Sequence, residues 1–146
     1  LEEGIYKKIK EYLENGDKVV FTYDTHYENY LETREGKNLP VPHCYIGTEG
    51  HELYGRLKEF KQVKNAFHYN KESFGMSPKN MIKLSEDIGN NIDQIEFVGV
   101  VSDICVISNI ITFQSQYVNA QIIVDSNLCA SFDENVAESL QAKVIR

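Results

Sequence analysis

Apolar residues along this chain alternate between two patterns, one typical of strands and one typical of helices. Short runs rich in Val, Ile, Phe and Tyr predict four strands, at Val19–Tyr23, Ala66–Tyr69, Ile95–Val101 and Gln121–Val124. Apolar residues spaced three and four apart predict the helices, at Leu1–Asn15, His51–Phe60, Pro78–Gly89, Ile104–Tyr117 and Asp133–Leu140. Strands alternating with helices through short connections indicate a parallel α/β sheet with right-handed crossovers.

The strand Ile95–Val101 is the most apolar of the four and is predicted to be buried on both faces. The helix after it begins close to Cys105, where free backbone N–H groups and the helix dipole favour an anion. A thiol at that position is expected to have a lowered pKa and to act as a nucleophile. The alternative is that Cys105 is a small buried apolar residue.

Several polar residues follow strand ends, where parallel sheets bind their ligands. Asp24 and His26 come after the first strand, Lys71 after the second, and Ser102 to Cys105 after the third. One rule of topology therefore predicts that these side chains meet at one edge of the sheet.

Size and charge limit the classes of function. A chain of 146 residues is expected to form one domain, over residues 1–146, and its net charge of −7 argues against nucleic acid as a partner. Three widely spaced cysteines without a CxxC pair favour a reducing, cytoplasmic compartment. No apolar run approaches the length of a membrane span, so a membrane partner is not expected.

Asp24 and His26, two residues apart in extended chain, point the same way and supply half of a metal site. His43, in a long ordered loop over Tyr27–Gly50, could complete it, with Glu35 as a fourth ligand. Such ligands suit Zn²⁺, Fe²⁺ or Mn²⁺. The alternative is a capping carboxylate beside ordinary surface histidines.

The other polar candidates have plain structural alternatives. Lys71 could stabilise a thiolate or remain solvated, and Phe74 could line a planar substrate or belong to the core. Four residues are predicted to be structural: His51, His68, Cys44 and Cys129.

Four segments resemble the isochorismatase-like cysteine hydrolases, and within them the nicotinamidase/pyrazinamidase group. They are VVFTYDTH at Val19–His26, TREGKNLPVPHCYIGTEGHEL at Thr33–Leu53, NKESF at Asn70–Phe74 and VGVVSDICV at Val98–Val106. The resemblance implies a three-layer, Rossmann-like α/β/α fold around a central parallel sheet. It also implies hydrolysis of a small amide, nicotinamide, through a thioester, in an enzyme that often forms homo-oligomers.

The resemblance also assigns roles. Cys105 would be the nucleophile and Lys71 the lysine of its triad, while the backbone N–H groups of Ser102 and Cys105 would form the oxyanion hole. The peptide bond before Ser102 would be cis. The metal ligands would be Asp24, His26 and His43, with Glu35 the weaker fourth.

One element of the resemblance is missing from this chain. The triad aspartate of the family lies on a first strand, before the first helix, and neither Asp24 nor Asp103 matches it. The expectation is a domain that is N-terminally incomplete as given. The alternatives are hydrolysis of another amide or N-carbamoyl compound, and a non-catalytic protein.

Overall fold

A computed structural model describes residues 1–133, which form four strands, four α-helices and several shorter helical turns. The strands are β1 Val19–Asp24, β2 Ala66–Lys71, β3 Gln94–Val100 and β4 Gln121–Ala130. The α-helices are α1 Glu2–Glu14, α2 Arg34–Asn38, α3 Pro78–Ile88 and α4 Ile107–Gln116. Three 3-10 turns cover Tyr30–Glu32, Glu49–His51 and Gly55–Gln62, and a π-helical turn covers Ser102–Val106.

Helix α3 shows how the sequence sets its own boundaries. Pro78 opens the helix, and the Ser77 side chain accepts a hydrogen bond from the Asn80 backbone N–H at 3.2 Å. Gly89 ends it with a φ of +84°, a conformation that side chains disfavour. Its buried residues, Met81 and Leu84, pack into a core cluster that also contains Phe113 of α4.

The strands are parallel, as the sequence predicts, but they form two separate pairs. β1 pairs with β2 and β3 pairs with β4, the second pair with an irregularity between Phe97 and Gly99. Among residues 1–133, β1 and β3 share no ladder. The alternation of helices with parallel strands is that of the predicted three-layer α/β/α fold. Side chains of both pairs nevertheless pack against one cluster, including Val20 of β1 and Phe97 of β3.

Two predicted elements have other boundaries in the structure. The predicted helix His51–Phe60 is instead a 3-10 helix that begins later, and β4 continues six residues past Val124, to Ala130. The predicted helix Asp133–Leu140 lies almost wholly outside the described residues. No helix among residues 1–133 is both long enough and apolar enough to cross a membrane.

The loop over Tyr27–Gly50 is ordered around one phenol. Tyr30 has no exposed surface, and its hydroxyl donates to the Leu39 carbonyl at 2.8 Å. The loop also joins the edge of β1, because the His26 N–H donates to Cys44 and the Ile46 N–H donates to His26. The short helix α2 inside this loop was not expected. Thr33 caps its N-terminus, since its side chain accepts from the Gly36 N–H at 3.0 Å.

Replacing Gly36 by Ala is expected to destabilise this loop. A Cβ there would lie 2.0 Å from the Tyr30 carbonyl oxygen and 2.8 Å from the Leu31 Cα, which are backbone atoms that cannot rotate away. The free energy of unfolding should fall by about 1–3 kcal/mol, as for other overpacked sites. Urea denaturation measures the change. Gly50→Ala is the control, because its Cβ would meet only Thr48 Oγ1, at 3.7 Å; an equal loss in both variants would contradict the prediction.

Candidate active site

The ends of β1 and β2 bring the first two candidate residues together. Asp24 and Lys71 are partners in the last register position of the two strands. Lys71 is only 3% exposed, and its Nζ lies 3.3 Å from Asp24 Oδ1. A buried ammonium needs such a partner, because burial without one is costly. The predicted convergence at the carboxyl edge of the strands is therefore present for this pair.

Cys105 joins the same group from the other pair of strands. Its Sγ lies 3.6 Å from Lys71 Nζ, within hydrogen-bond distance for sulfur. The sequence predicts that Cys105 lies in the first turn of an α-helix. In the structure it lies instead in the π-helical turn between β3 and α4. In that turn the Val101 carbonyl accepts hydrogen bonds from the N–H groups of Ile104 and Val106, both at 3.1 Å.

The expectation of a lowered thiol pKa was wrong. Burial is the largest influence and raises the pKa of Cys105 above its ordinary value, because a thiolate is poorly solvated there. The Lys71 ammonium and the Val101 backbone N–H oppose burial by stabilising the thiolate, while the Asp24 carboxylate adds to the rise. Lys71 is thus the main local group that favours the reactive form of the sulfur.

Replacing Lys71 by Met should therefore raise the pKa of Cys105 further. The thiolate fraction would fall, and alkylation of Cys105 by iodoacetamide at pH 7 should slow by about tenfold, with its pH profile moved to higher pH. Mass spectrometry of each cysteine peptide measures the rates, with Cys129 as the internal reference. Lys79→Met, at an exposed position, is the control. An unchanged Cys105 profile in Lys71→Met would refute the electrostatic role of Lys71.

The backbone just before Cys105 contains a cis peptide bond, one residue earlier than predicted. It joins Val100 to Val101, not Val101 to Ser102. Ser102 itself is buried. Since the N–H groups of Ile104 and Val106 already donate to Val101, they are unsuited to an oxyanion. Donation from the N–H groups of Ser102 and Cys105 stays a prediction.

A second cluster, of potential metal ligands, lies on the far side of Asp24. The ligand atoms of Asp24, His26 and His43 all lie within 4.8 Å of one another. Asp24 Oδ2 is 3.5 Å from His26 Nε2 and 3.3 Å from His43 Nε2. These three residues match the predicted ligand set.

The orientation of the histidines suits a metal. His43 Nδ1 lies 2.6 Å from the Val41 carbonyl, which can only accept, so Nδ1 donates there and Nε2 is the ring nitrogen that faces Asp24. His26 is 5% exposed, and its Nε2 is a buried nitrogen that has no hydrogen-bond partner among residues 1–133. An orphaned buried nitrogen aimed at a carboxylate and a second imidazole fits a divalent cation.

Glu35 adjoins this cluster from helix α2. Its Oε1 lies 3.5 Å from His26 Nε2 and 3.9 Å from His43 Nε2. Glu35 is not one of the three residues whose ligand atoms all lie within 4.8 Å of one another, so it lies beside that group. Its role as a fourth ligand stays a prediction.

Asp24 links the two clusters, because one oxygen faces Lys71 and the other faces the histidines. A single carboxylate therefore touches both the thiolate-stabilising ammonium and the candidate metal ligands. Sequence spacing alone does not show this, since it depends on the rotation of one side chain between two strands.

The remaining candidates divide into two groups. Phe74 is partly exposed, 45% as a residue, so it is not a core residue, and its contact with substrate stays a prediction. His68 stacks on Phe21 with ring centroids 4.7 Å apart, which agrees with a structural role. His51 Nε2 pairs with the buried Thr25 hydroxyl at 2.9 Å, outside the ligand cluster.

Cys44 and Cys129 are both free cysteines whose pKa is raised by burial, but Cys44 is not remote from the site. The Asp24 carboxylate and Cys105 also raise the pKa of Cys44, while Lys71 lowers it. Its backbone has a φ of +49°, which is uncommon outside glycine.

Some residues of the site were missed in the sequence. Tyr30 packs its ring 4.3 Å from His26 and 5.1 Å from His43, measured between centroids. Ser131 donates to Asp103 in the turn before Cys105, and so ties that turn to the end of β4. Asn109 also contacts this turn, because its Nδ2 donates to the Cys105 carbonyl. Nothing in the local sequence distinguishes these residues, since their partners are distant along the chain.

Comparison with known proteins gives a consistent result. The isochorismatase domain model matches residues 3–143. Nicotinamidase PncA of Bacillus subtilis has 30% identity and a TM-score of 0.80, over 97% of this chain and 77% of that one. The pyrazinamidase/nicotinamidase of Streptococcus mutans has 28% identity and a TM-score of 0.82, over 97% and 78%. The pyrazinamidase of Pyrococcus horikoshii, solved in complex with zinc, has 19% identity and a TM-score of 0.76, over 97% and 78%.

Proposed function

Because this chain belongs to the isochorismatase domain family of hydrolases, we propose that it hydrolyses nicotinamide to nicotinate and ammonia. The observation that carries this proposal is the position of the Lys71 ammonium, 3.6 Å from Cys105 Sγ and 3.3 Å from Asp24 Oδ1. That arrangement suits a cysteine nucleophile beside a metal-binding carboxylate. The nicotinamidase neighbours, at 28–30% identity, favour this amide over others.

The reaction proceeds in two halves. The Cys105 thiolate attacks the carboxamide carbon, and the tetrahedral oxyanion is stabilised by backbone N–H groups, for which we propose Ser102 and Cys105. The C–N bond then breaks, the nitrogen takes a proton and leaves as ammonia, and a thioester remains. Water adds to the thioester, and cleavage of the C–S bond releases the carboxylate and regenerates the thiolate.

Protonation of the leaving nitrogen needs an acid, and the carboxylate of Asp24 is already engaged by Lys71 and the two histidines. We propose that the complete protein supplies a carboxyl group from a strand preceding Leu1. The strand order supports this, because among residues 1–133 the two strand pairs share a core without a ladder between β1 and β3. A parallel strand between them would extend the sheet and end beside Lys71 and Cys105.

The ligand cluster suits a divalent metal, for which we propose zinc held by Asp24, His26 and His43, with Glu35 as a fourth ligand. When bound, the metal offers a Lewis-acid position that a pyridine nitrogen can occupy. Asp24, by contacting Lys71 as well, would keep the ring and the nucleophile at a defined separation. Phe74 is proposed as a wall for the ring. Fe²⁺ and Mn²⁺ are the alternatives for the same donors.

The assay compares three amides with the complete, zinc-loaded protein: nicotinamide, pyrazinamide and N-carbamoylsarcosine. Nicotinate and ammonium, followed by proton NMR and a coupled ammonium assay, should appear in equal amounts. Faster turnover of the N-carbamoyl compound would replace the proposed substrate with that class. Absence of turnover with all three would favour a non-catalytic protein. The predicted homo-oligomer and cytoplasmic location stay predictions, the first testable by sedimentation.

A further inference from the structure

Asn109, one helical turn after Cys105, is a buried polar residue whose side chain bonds to two separate backbone segments. It is 6% exposed. Its Nδ2 donates to the Cys105 carbonyl at 2.9 Å and to the Phe74 carbonyl at 3.3 Å, and its Oδ1 accepts from the Met76 N–H at 2.9 Å. The amide thus uses both its donor and its acceptor atoms. The bond to the Cys105 carbonyl links Asn109 to the turn just before its own helix. The other two bonds link it to the Phe74–Met76 segment.

The segment that Asn109 binds lies directly on helix α4. A Cβ on Gly75 would be 2.9 Å from Thr112 Oγ1 and 3.1 Å from the Ser108 carbonyl oxygen, closer than side chains normally approach. Met76 is buried beside it, whereas the Phe74 ring is partly exposed. The segment is therefore fixed at its backbone while one ring projects from it.

We propose that Asn109 is a positioning residue that holds the Phe74–Met76 segment against the Cys105 turn, and so sets where a ring-bearing amide stands relative to the sulfur. The three hydrogen bonds of Asn109 support its role in holding the segment. The effect of this role on the choice of substrate rests on the proposed function. Since one amide nitrogen donates to both carbonyls, the Phe74 backbone cannot move from the Cys105 backbone without losing a bond to Asn109.

The test removes the donor and keeps the acceptor. In Asn109→Asp, one carboxylate oxygen still accepts from Met76 N–H, but the other faces two carbonyl oxygens and repels them. Gly75→Ala is a second variant that pushes the same segment off α4 and leaves Asn109 intact. Ser115→Ala is the matched control, because Ser115 donates only to the Ile111 carbonyl of its own helix.

Two alkylating reagents report how the Phe74–Met76 segment is placed relative to Cys105, and neither requires amide hydrolysis. Iodoacetamide has no ring, and its N-benzyl derivative has one; mass spectrometry gives the rate of each at Cys105, with Cys129 as reference. The ratio of the ring-bearing to the ring-free rate should change at least threefold in Asn109→Asp and in Gly75→Ala, and by less than 1.5-fold in Ser115→Ala. General loosening of the fold would change both rates together and leave the ratio as it was.

Nicotinamide turnover gives the second readout. The kcat/KM for nicotinamide should fall at least tenfold in Asn109→Asp, with much of the loss in KM. An unchanged alkylation ratio in both variants would overturn the positioning role, whatever happens to turnover. A changed ratio in a protein whose wild type does not hydrolyse nicotinamide would instead reject the proposed function and leave the positioning role in place.

Discussion

Cys105→Ser is expected to abolish ammonia release from nicotinamide, lowering kcat by about 10³-fold or more. A serine hydroxyl has nearly the same shape, but its pKa is far higher than that of a thiol, and Lys71 alone does not make it a nucleophile. The fold should survive, since the side chain is only partly buried and the new hydroxyl can still accept from Lys71 Nζ. Initial rates of ammonium release, with 10³-fold more enzyme for the variant, measure the loss.

Cys129→Ser is the matched control for that experiment. It makes the same change in a cysteine that lies on β4 with its sulfur toward the Phe97 carbonyl. It should retain wild-type turnover. Turnover in Cys105→Ser within tenfold of the wild type would reject Cys105 as the nucleophile, provided that its thermal unfolding matches that of the control.

His26→Ala is expected to weaken zinc binding by more than about 100-fold. Loss of an outer partner of a metal ligand already costs 10–100-fold in affinity, so loss of a ligand itself should cost more. The reason is specific to this site: His26 Nε2 is a buried nitrogen with no hydrogen-bond partner in the described part of the chain, and it faces both Asp24 and His43. Competition titration with a fluorescent chelator measures the affinity, and elemental analysis measures the bound metal.

His51→Gln is the control, because it removes another imidazole while leaving a group that can bond to the Thr25 hydroxyl. It should bind zinc as the wild type does. Equal losses in both variants would show that the effect comes from the fold around β1. Full zinc affinity in His26→Ala would remove His26 from the ligand set. Chelation of the wild type with EDTA should lower nicotinamide turnover, and added zinc should restore it.

Residues at strand ends were the part of the site that the sequence could predict. Asp24 and Lys71 are separated by 47 positions, yet a general rule for parallel strands places both at one edge, and the register confirms that they are partners. Lys71 also approaches Cys105 from a different strand pair. The rule works because it depends on chain direction and connectivity, which apolar patterns reveal.

The conformation of the turn at Cys105 could not be predicted in the same way. Apolar spacing shows that a helix follows β3, but it does not show that Ser102–Val106 forms a π-helical turn before α4 begins at Ile107. The expected pKa of Cys105 was wrong for a related reason. Helix position suggests a stabilised thiolate, whereas burial, which depends on the packing of distant residues, is the larger influence.

Side chains that act between distant segments were also beyond the sequence. The contacts of Asn109 reach back more than 30 positions, to Phe74 and Met76, and any polar residue on a helix has the same local pattern. The resemblance to a family supplied roles for His43 and Glu35, which spacing alone left open. The distances now place both beside His26, and their function as ligands awaits the metal titration.

The enclosed phenol of Tyr30 has a consequence for how this protein would acquire its ion. Because Tyr30 donates to the Leu39 carbonyl and its ring lies tilted against His26 and edge-on to His43, interactions within the chain itself hold both imidazoles in position. Metal binding would then require little ordering of the chain. Zinc fingers differ in this respect, because they fold only around their metal. We expect the metal to bind a preformed site. The circular dichroism spectra of the metal-free and metal-bound proteins should therefore be almost the same.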